Sequence, residues 1–111
     1  MNKYEELARK LKESNNCSYS VYNAFKDVLT LSGNIPAPRS IDGKCGALLA
    51  ALQILDETGN SDKKEQFEKD FINEFQYSKC VDLMSHERMC FGYSGWCAKR
   101  ISELLKNEIS N

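Results

Sequence analysis

Five cysteines, Cys17, Cys45, Cys80, Cys90 and Cys97, are the residues of this 111-residue chain whose type could do chemistry. A thiolate is both a nucleophile and a soft metal ligand, so they point to metal binding or to thiol–disulfide exchange. Their spacing narrows the choice. No two stand as Cys-x-x-Cys, which argues against a zinc knuckle built on one tight turn and against a thioredoxin-type dithiol. A shared site must therefore be gathered from separate elements. A single free cysteine is more often a small buried hydrophobe than a functional group. Here, however, the helical pattern places Cys17, Cys45 and Cys97 each in the first turn of a helix. Unpaired N–H groups and a partial positive charge there favour the thiolate. Three such placements in so short a chain favour a site. Cys45 opens the most apolar helix and is followed by the small Gly46 and Ala47, so it is expected to have a lowered pKa.

The elements that must position these sulfurs are helical. Tyr4, Leu7, Ala8 and Leu11 recur at helix spacing with charges opposite, and Ser14-Asn15-Asn16 ends that helix and caps the next. The second carries Cys17, Val21, Ala24, Phe25 and Val28 on one stripe and stops at Gly33. Residues 34–43, with Pro36 and Pro38, form an extended connector. The third helix starts near Gly43 or Lys44 and ends at Thr58-Gly59. Apolar on nearly all sides from Cys45 to Leu52, it should be central, with Leu48, Leu49 and Leu52 deeply buried. Asn60-Ser61-Asp62 and Glu65 read as a capping box for a fourth helix with the stripe Phe67, Phe71, Ile72 and Phe75. A short helical piece holds Cys80, Leu83 and Met84. Residues 85–95 read as a loop, and the last helix, from about Ser94, turns Trp96, Cys97, Ile101, Leu104 and Leu105 inward. No segment alternates as a strand does. The expectation is an all-α fold, one compact antiparallel bundle of about five helices over residues 1–111.

Four segments, in order, resemble the C_GCAxxG_C_C family, small proteins of anaerobic bacteria and archaea described as redox-active. They are Asn16-Cys17-Ser18 followed by Val21, Cys45-Gly46-Ala47-Leu48-Leu49-Ala50, Cys80-Val81-Asp82-Leu83-Met84 after the aromatic helix, and Arg88-Met89-Cys90. Ala50 stands where the pattern closes on glycine, and the Pro36–Pro38 connector replaces its glycine-rich stretch, with Arg39 in common. Cys90 fits the fourth motif directly, while Cys97 is the other candidate for that place. The resemblance implies redox activity without choosing between a cluster and a disulfide. Four gathered thiolates are the ligand set of an iron–sulfur cluster, which gives Cys17, Cys45, Cys80 and Cys90 as metal ligands and Cys97 as the alternative.

The remaining composition excludes more than it offers. Fifteen basic residues face sixteen acidic ones without a basic block, so neither nucleic acid nor a membrane surface is an expected partner. No stretch reaches transmembrane length, and Met1 to Glu6 has no signal-peptide core, so the expected compartment is the cytoplasm. Thiols stay reduced there, which disfavours a structural disulfide framework. His86, the single histidine, reads as an exposed loop residue, and Gly43-Lys44-Cys45-Gly46 lacks the pattern of a phosphate loop. Three readings follow. The first is an iron–sulfur protein for electron transfer or redox sensing with a redox partner protein. The second is a metal-free thiol–disulfide protein. The third is a helical interaction module, such as a homodimer, with structural cysteines.

Overall fold

A computed structural model describes residues 2–87 and 90–109. Its elements are α1 (Lys3–Lys12), α2 (Cys17–Asn23), α3 (Gly46–Glu57), a 3₁₀ turn (Ser61–Lys63), α4 (Lys64–Phe75), α5 (Cys80–Met84) and α6 (Phe91–Leu104). Among the described residues there is no strand; the only β pairing is two isolated bridges, Arg39 with Cys45 and Lys44 with Lys79. The fold is all-α, as expected. No helix is long and apolar enough to cross a membrane among these residues.

The packing follows from which faces are apolar and which positions are small. α1 lies along α6, with α2 against both α1 and α3. The α1–α6 approach depends on Gly95, where a Cβ would stand 2.7 Å from Arg9 Nε and 3.1 Å from Glu5 Cγ. Tyr4 of α1 stacks on Phe25 at 4.9 Å between centroids. Phe67, Phe71 and Phe75 of α4 meet Trp96 of α6 edge-on, each at 5.6 Å or less from a partner ring. The Asn16 side chain accepts from the Tyr19 amide and so caps α2, as its position implies.

Four expectations are corrected. α2 ends at Asn23 rather than near Gly33, because the chain is drawn toward α3. There the Ser32 amide donates to Glu57, the Tyr22 hydroxyl donates to the same carboxylate, and the Gly33 amide donates to Tyr22 Oη. Leu48 is fully buried, but Leu49 and Leu52 are only half-buried; with Gln53 and Asp56 they form the outward face of α3 at i, i+3, i+4 and i+7. The Asp62–Glu65 capping box does not form. Ser61 bonds Asp56 instead, and α4 follows the 3₁₀ turn with no side-chain cap. Finally, α6 begins at Phe91, inside the segment read as a loop. Glu87 accepts from the Gly92 amide and caps it from outside the helix. Cys97 consequently sits well inside α6 rather than in its first turn.

Candidate cysteine site

The connector between α2 and α3 builds one wall of the site. Ser40 to Gly43 is a turn closed by the Gly43 amide on Ser40 O, 2.9 Å, with Gly43 at φ +90°, a conformation that suits glycine. From this turn the backbone pairs with the start of α5: the Cys45 amide donates to Ser78 O, 2.9 Å, and the Cys80 amide donates to Gly43 O, 2.8 Å. Cys45 and Cys80 are thus fixed beside each other by main-chain bonds. Gly46 opens α3 with no room for a Cβ, which would run into the Pro38 carbonyl; the proline connector is pressed onto the helix start.

The facing wall is where α1 and α2 meet the head of α6. Cys17 is the first residue of α2, and Cys90 immediately precedes α6. Cys90 takes a left-handed backbone, φ +59°, uncommon for a residue with a side chain. The Tyr93 hydroxyl donates to Leu83 O, 2.6 Å, and ties α6 to α5. Between the walls is an open cleft of about 410 Å³ lined by Lys12, Asn16, Cys17, Pro38, Arg39, Cys80, Met84 and Cys90.

The five sulfurs divide by environment. Cys17 is partly buried and lines the cleft together with Cys90. Stabilisation by the Cys90 thiol, followed by the Lys12 charge and the Ser94 hydroxyl, lowers the Cys17 pKa to about 7 despite that burial. The Ser94 hydroxyl is buried and acts on this sulfur. Cys90 moves the opposite way: sharing a proton with the Cys17 thiolate, and then burial, hold it as a thiol. Cys80 is buried at the cleft wall, where it accepts from Arg39 Nη2 at 3.4 Å and contacts Met84 Sδ at 3.4 Å.

Cys45 corrects an expectation. It is the N-cap of α3 and the amides of Leu48 and Ala47 do favour its thiolate, but burial outweighs them and raises its pKa to about 11. Cys97 is fully buried, and burial raises it well above an ordinary thiol. Of the sequence candidates, then, Cys17, Cys80 and Cys90 border one cleft. Cys45 lies behind it, close enough for its charge to couple to Cys17 and Cys80, and Cys97 is in the core.

The donor set fits a metal only in part. The thiols are neighbours, yet among the described residues no group of three or more His, Cys, Asp or Glu side chains is arranged to hold a metal ion. Arg88 and Met89 of the fourth motif lie outside the described residues. His86 is exposed and stacks on Tyr77 at 5.5 Å, away from the cleft lining. Sequence reasoning did not single out Lys12 or Met84 as site residues. Neither carries a local signal, since each matters only through what folding sets beside it. No family model, no curated protein and no solved structure matches this chain.

Proposed function

We propose that this chain is a thiol–disulfide redox protein whose working couple is Cys17 and Cys90. The observation that carries the reading is that these two cysteines line the same open cleft, with Cys17 ionising near neutral pH and the Cys90 thiol held protonated. A nucleophile with a pKa near the ambient pH is the best attacking thiol. The Cys17 thiolate attacks a disulfide R–S–S–R, forming a Cys17–S–S–R bond and releasing one RS⁻. Its negative charge is then gone, and with it the main cause of the raised Cys90 pKa. Cys90 loses its proton to solvent or to the departing thiolate and attacks Cys17 Sγ. The second RS⁻ leaves, and a Cys17–Cys90 disulfide remains. Two electrons pass from the protein to the substrate, and the reverse sequence oxidises two thiols.

The test is oxidation of the reduced protein with bis(2-hydroxyethyl) disulfide, followed by peptide mapping. A Cys17–Cys90 bridge is the expected product. Oxidation that leaves both residues as free thiols, or that bridges other pairs, overturns the reading.

A second reading, an iron–sulfur cluster on Cys17, Cys45, Cys80 and Cys90, is favoured by the proximity of Cys45 to Cys17 and Cys80 and by the four-segment resemblance. Closing a coordination shell requires the thiols to move together. Iron and acid-labile sulfide in protein purified without oxygen support it; their absence from such protein counts against it.

A further inference from the structure

We propose that the cleft selects a low-molecular-weight disulfide bearing carboxylates; this rests on the thiol–disulfide reading and names the substrate class of that couple. The two charged residues lining the cleft, Lys12 and Arg39, are both cationic. Among the described residues no carboxylate comes within ion-pair distance of either. This holds although the chain as a whole is slightly acidic, so the cleft differs in sign from the average surface.

Both cations are placed by the fold. Lys12 Nζ rests at 5.9 Å over the ring of Phe91, the residue that follows Cys90. Arg39 is held by the Arg39–Cys45 bridge, and its Nη2 donates to Cys80 Sγ. A guanidinium has five N–H donors in a planar fork, so donors remain for a carboxylate after that one bond. The two cations reach the same cleft from different elements, Lys12 from α1 and Arg39 from the connector, and Cys17 and Cys90 line it with them. A disulfide whose sulfur meets Cys17 would therefore have anionic groups within reach of both. The cleft volume, about 410 Å³, suits a small molecule. The reaction balances as one dithiol and one R–S–S–R giving one protein disulfide and two RSH.

The experiment compares three disulfides as oxidants of the reduced full chain: dianionic oxidised glutathione, neutral bis(2-hydroxyethyl) disulfide and dicationic cystamine. Each rate of Cys17–Cys90 bridge formation is divided by the rate of the same disulfide with free mercaptoethanol at the same pH. The neutral disulfide reports the nucleophilicity of Cys17, so the anionic-to-neutral ratio reports the cleft. Exposed ion pairs are individually weak and screened by salt, and two together are worth about tenfold at low ionic strength. The expected ratio is about tenfold in favour of the dianion, with cystamine slowest. Arg39→Gln and Lys12→Gln should each reduce that ratio, and added salt should collapse it. A wild-type ratio near one, or a ratio unchanged in both variants, overturns the substrate class while leaving the redox couple standing. If the neutral disulfide forms no Cys17–Cys90 bridge at all, the redox couple fails and the substrate class with it.

Discussion

Cys17 and Cys45 occupy nearly the same place in a helix and have opposite chemistry. Cys17 is the first residue of α2, and Cys45 is the N-cap of α3. Amide N–H groups favour the thiolate at both. Cys17 is only partly buried and falls to about 7, whereas Cys45 is 1% exposed and rises to about 11. A helix N-terminus contributes about 0.3–1 kcal/mol to a nearby anion, and full burial can shift a pKa by up to about 3–5 units, several kcal/mol. Burial therefore decides the sign at Cys45. At Cys17 the balance tips the other way because water still reaches the sulfur and three further groups, Cys90, Lys12 and Ser94, stabilise its charge. A helix start makes a cysteine reactive only when the rest of the fold leaves it partly wet.

The largest effect expected from this contrast is in alkylation. At pH 7 the thiolate fractions of the two residues differ by more than about a thousandfold, and the lower nucleophilicity of the more acidic thiol returns roughly half of that on a logarithmic scale. Iodoacetamide labelling followed by peptide mapping should find Cys17 modified on the order of a hundredfold faster than Cys45, and faster still if burial blocks access. Comparable rates would show that the two environments do not differ as described.

The next effect isolates the Cys90 thiol, the first cause of the lowered Cys17 pKa. Cys90→Ala removes the donor, so the Cys17 pKa should climb toward that of an ordinary cysteine, about 8.5. The pH profile of Cys17 alkylation, followed by thiolate absorbance or labelling rate, should shift up by about one unit, roughly a tenfold loss of thiolate at pH 6. A profile that stays centred near 7 would assign the acidity to Lys12 and Ser94 instead.

Stability against pH sharpens the Cys45 side. Its folded pKa lies above the value in the unfolded chain, so its burial as a neutral thiol supports the fold fully below about pH 8.5 and loses that support as pH rises toward 11. Cys17 has the opposite sign, with a contribution present above about pH 8.5 and lost as pH falls through 7. Cys45→Ala should flatten the alkaline fall of the thermal midpoint above pH 9 relative to the wild-type slope, by up to about 1.4 kcal/mol per pH unit. Parallel slopes in the two proteins would mean that Cys45 titrates as it does unfolded.

The smallest effect is that of Lys12. Its charge is a secondary cause at Cys17 and acts from a partly exposed ammonium. Lys12→Gln should raise the Cys17 pKa by a few tenths of a unit at low salt, a difference that shrinks as ionic strength rises. A shift as large as that of Cys90→Ala, or one insensitive to salt, would reverse the ranking of the two neighbours.

Helix identity was legible residue by residue where one short signal governs it. Asn16 caps α2 because its side chain reaches an amide three residues on, and the apolar spacing of α1 and α4 places Tyr4, Ala8, Phe67 and Phe71 in the core. The sequence also settled that any site shared by the cysteines must draw them from separate elements, because no Cys-x-x-Cys pair exists. Boundaries that depend on distant partners were not legible. α2 stops early because Glu57, thirty-five residues after Tyr22, takes hydrogen bonds from Tyr22 and Ser32, and α6 starts early under the Glu87 cap. The same limit governs the site. Which cysteine is acidic depends on solvent access and on charges from other elements, and a linear pattern encodes neither. Local amide geometry, shared by Cys17 and Cys45, could be read from the chain. The water left at one and excluded from the other was set only when α1, α2, α3 and α6 packed together.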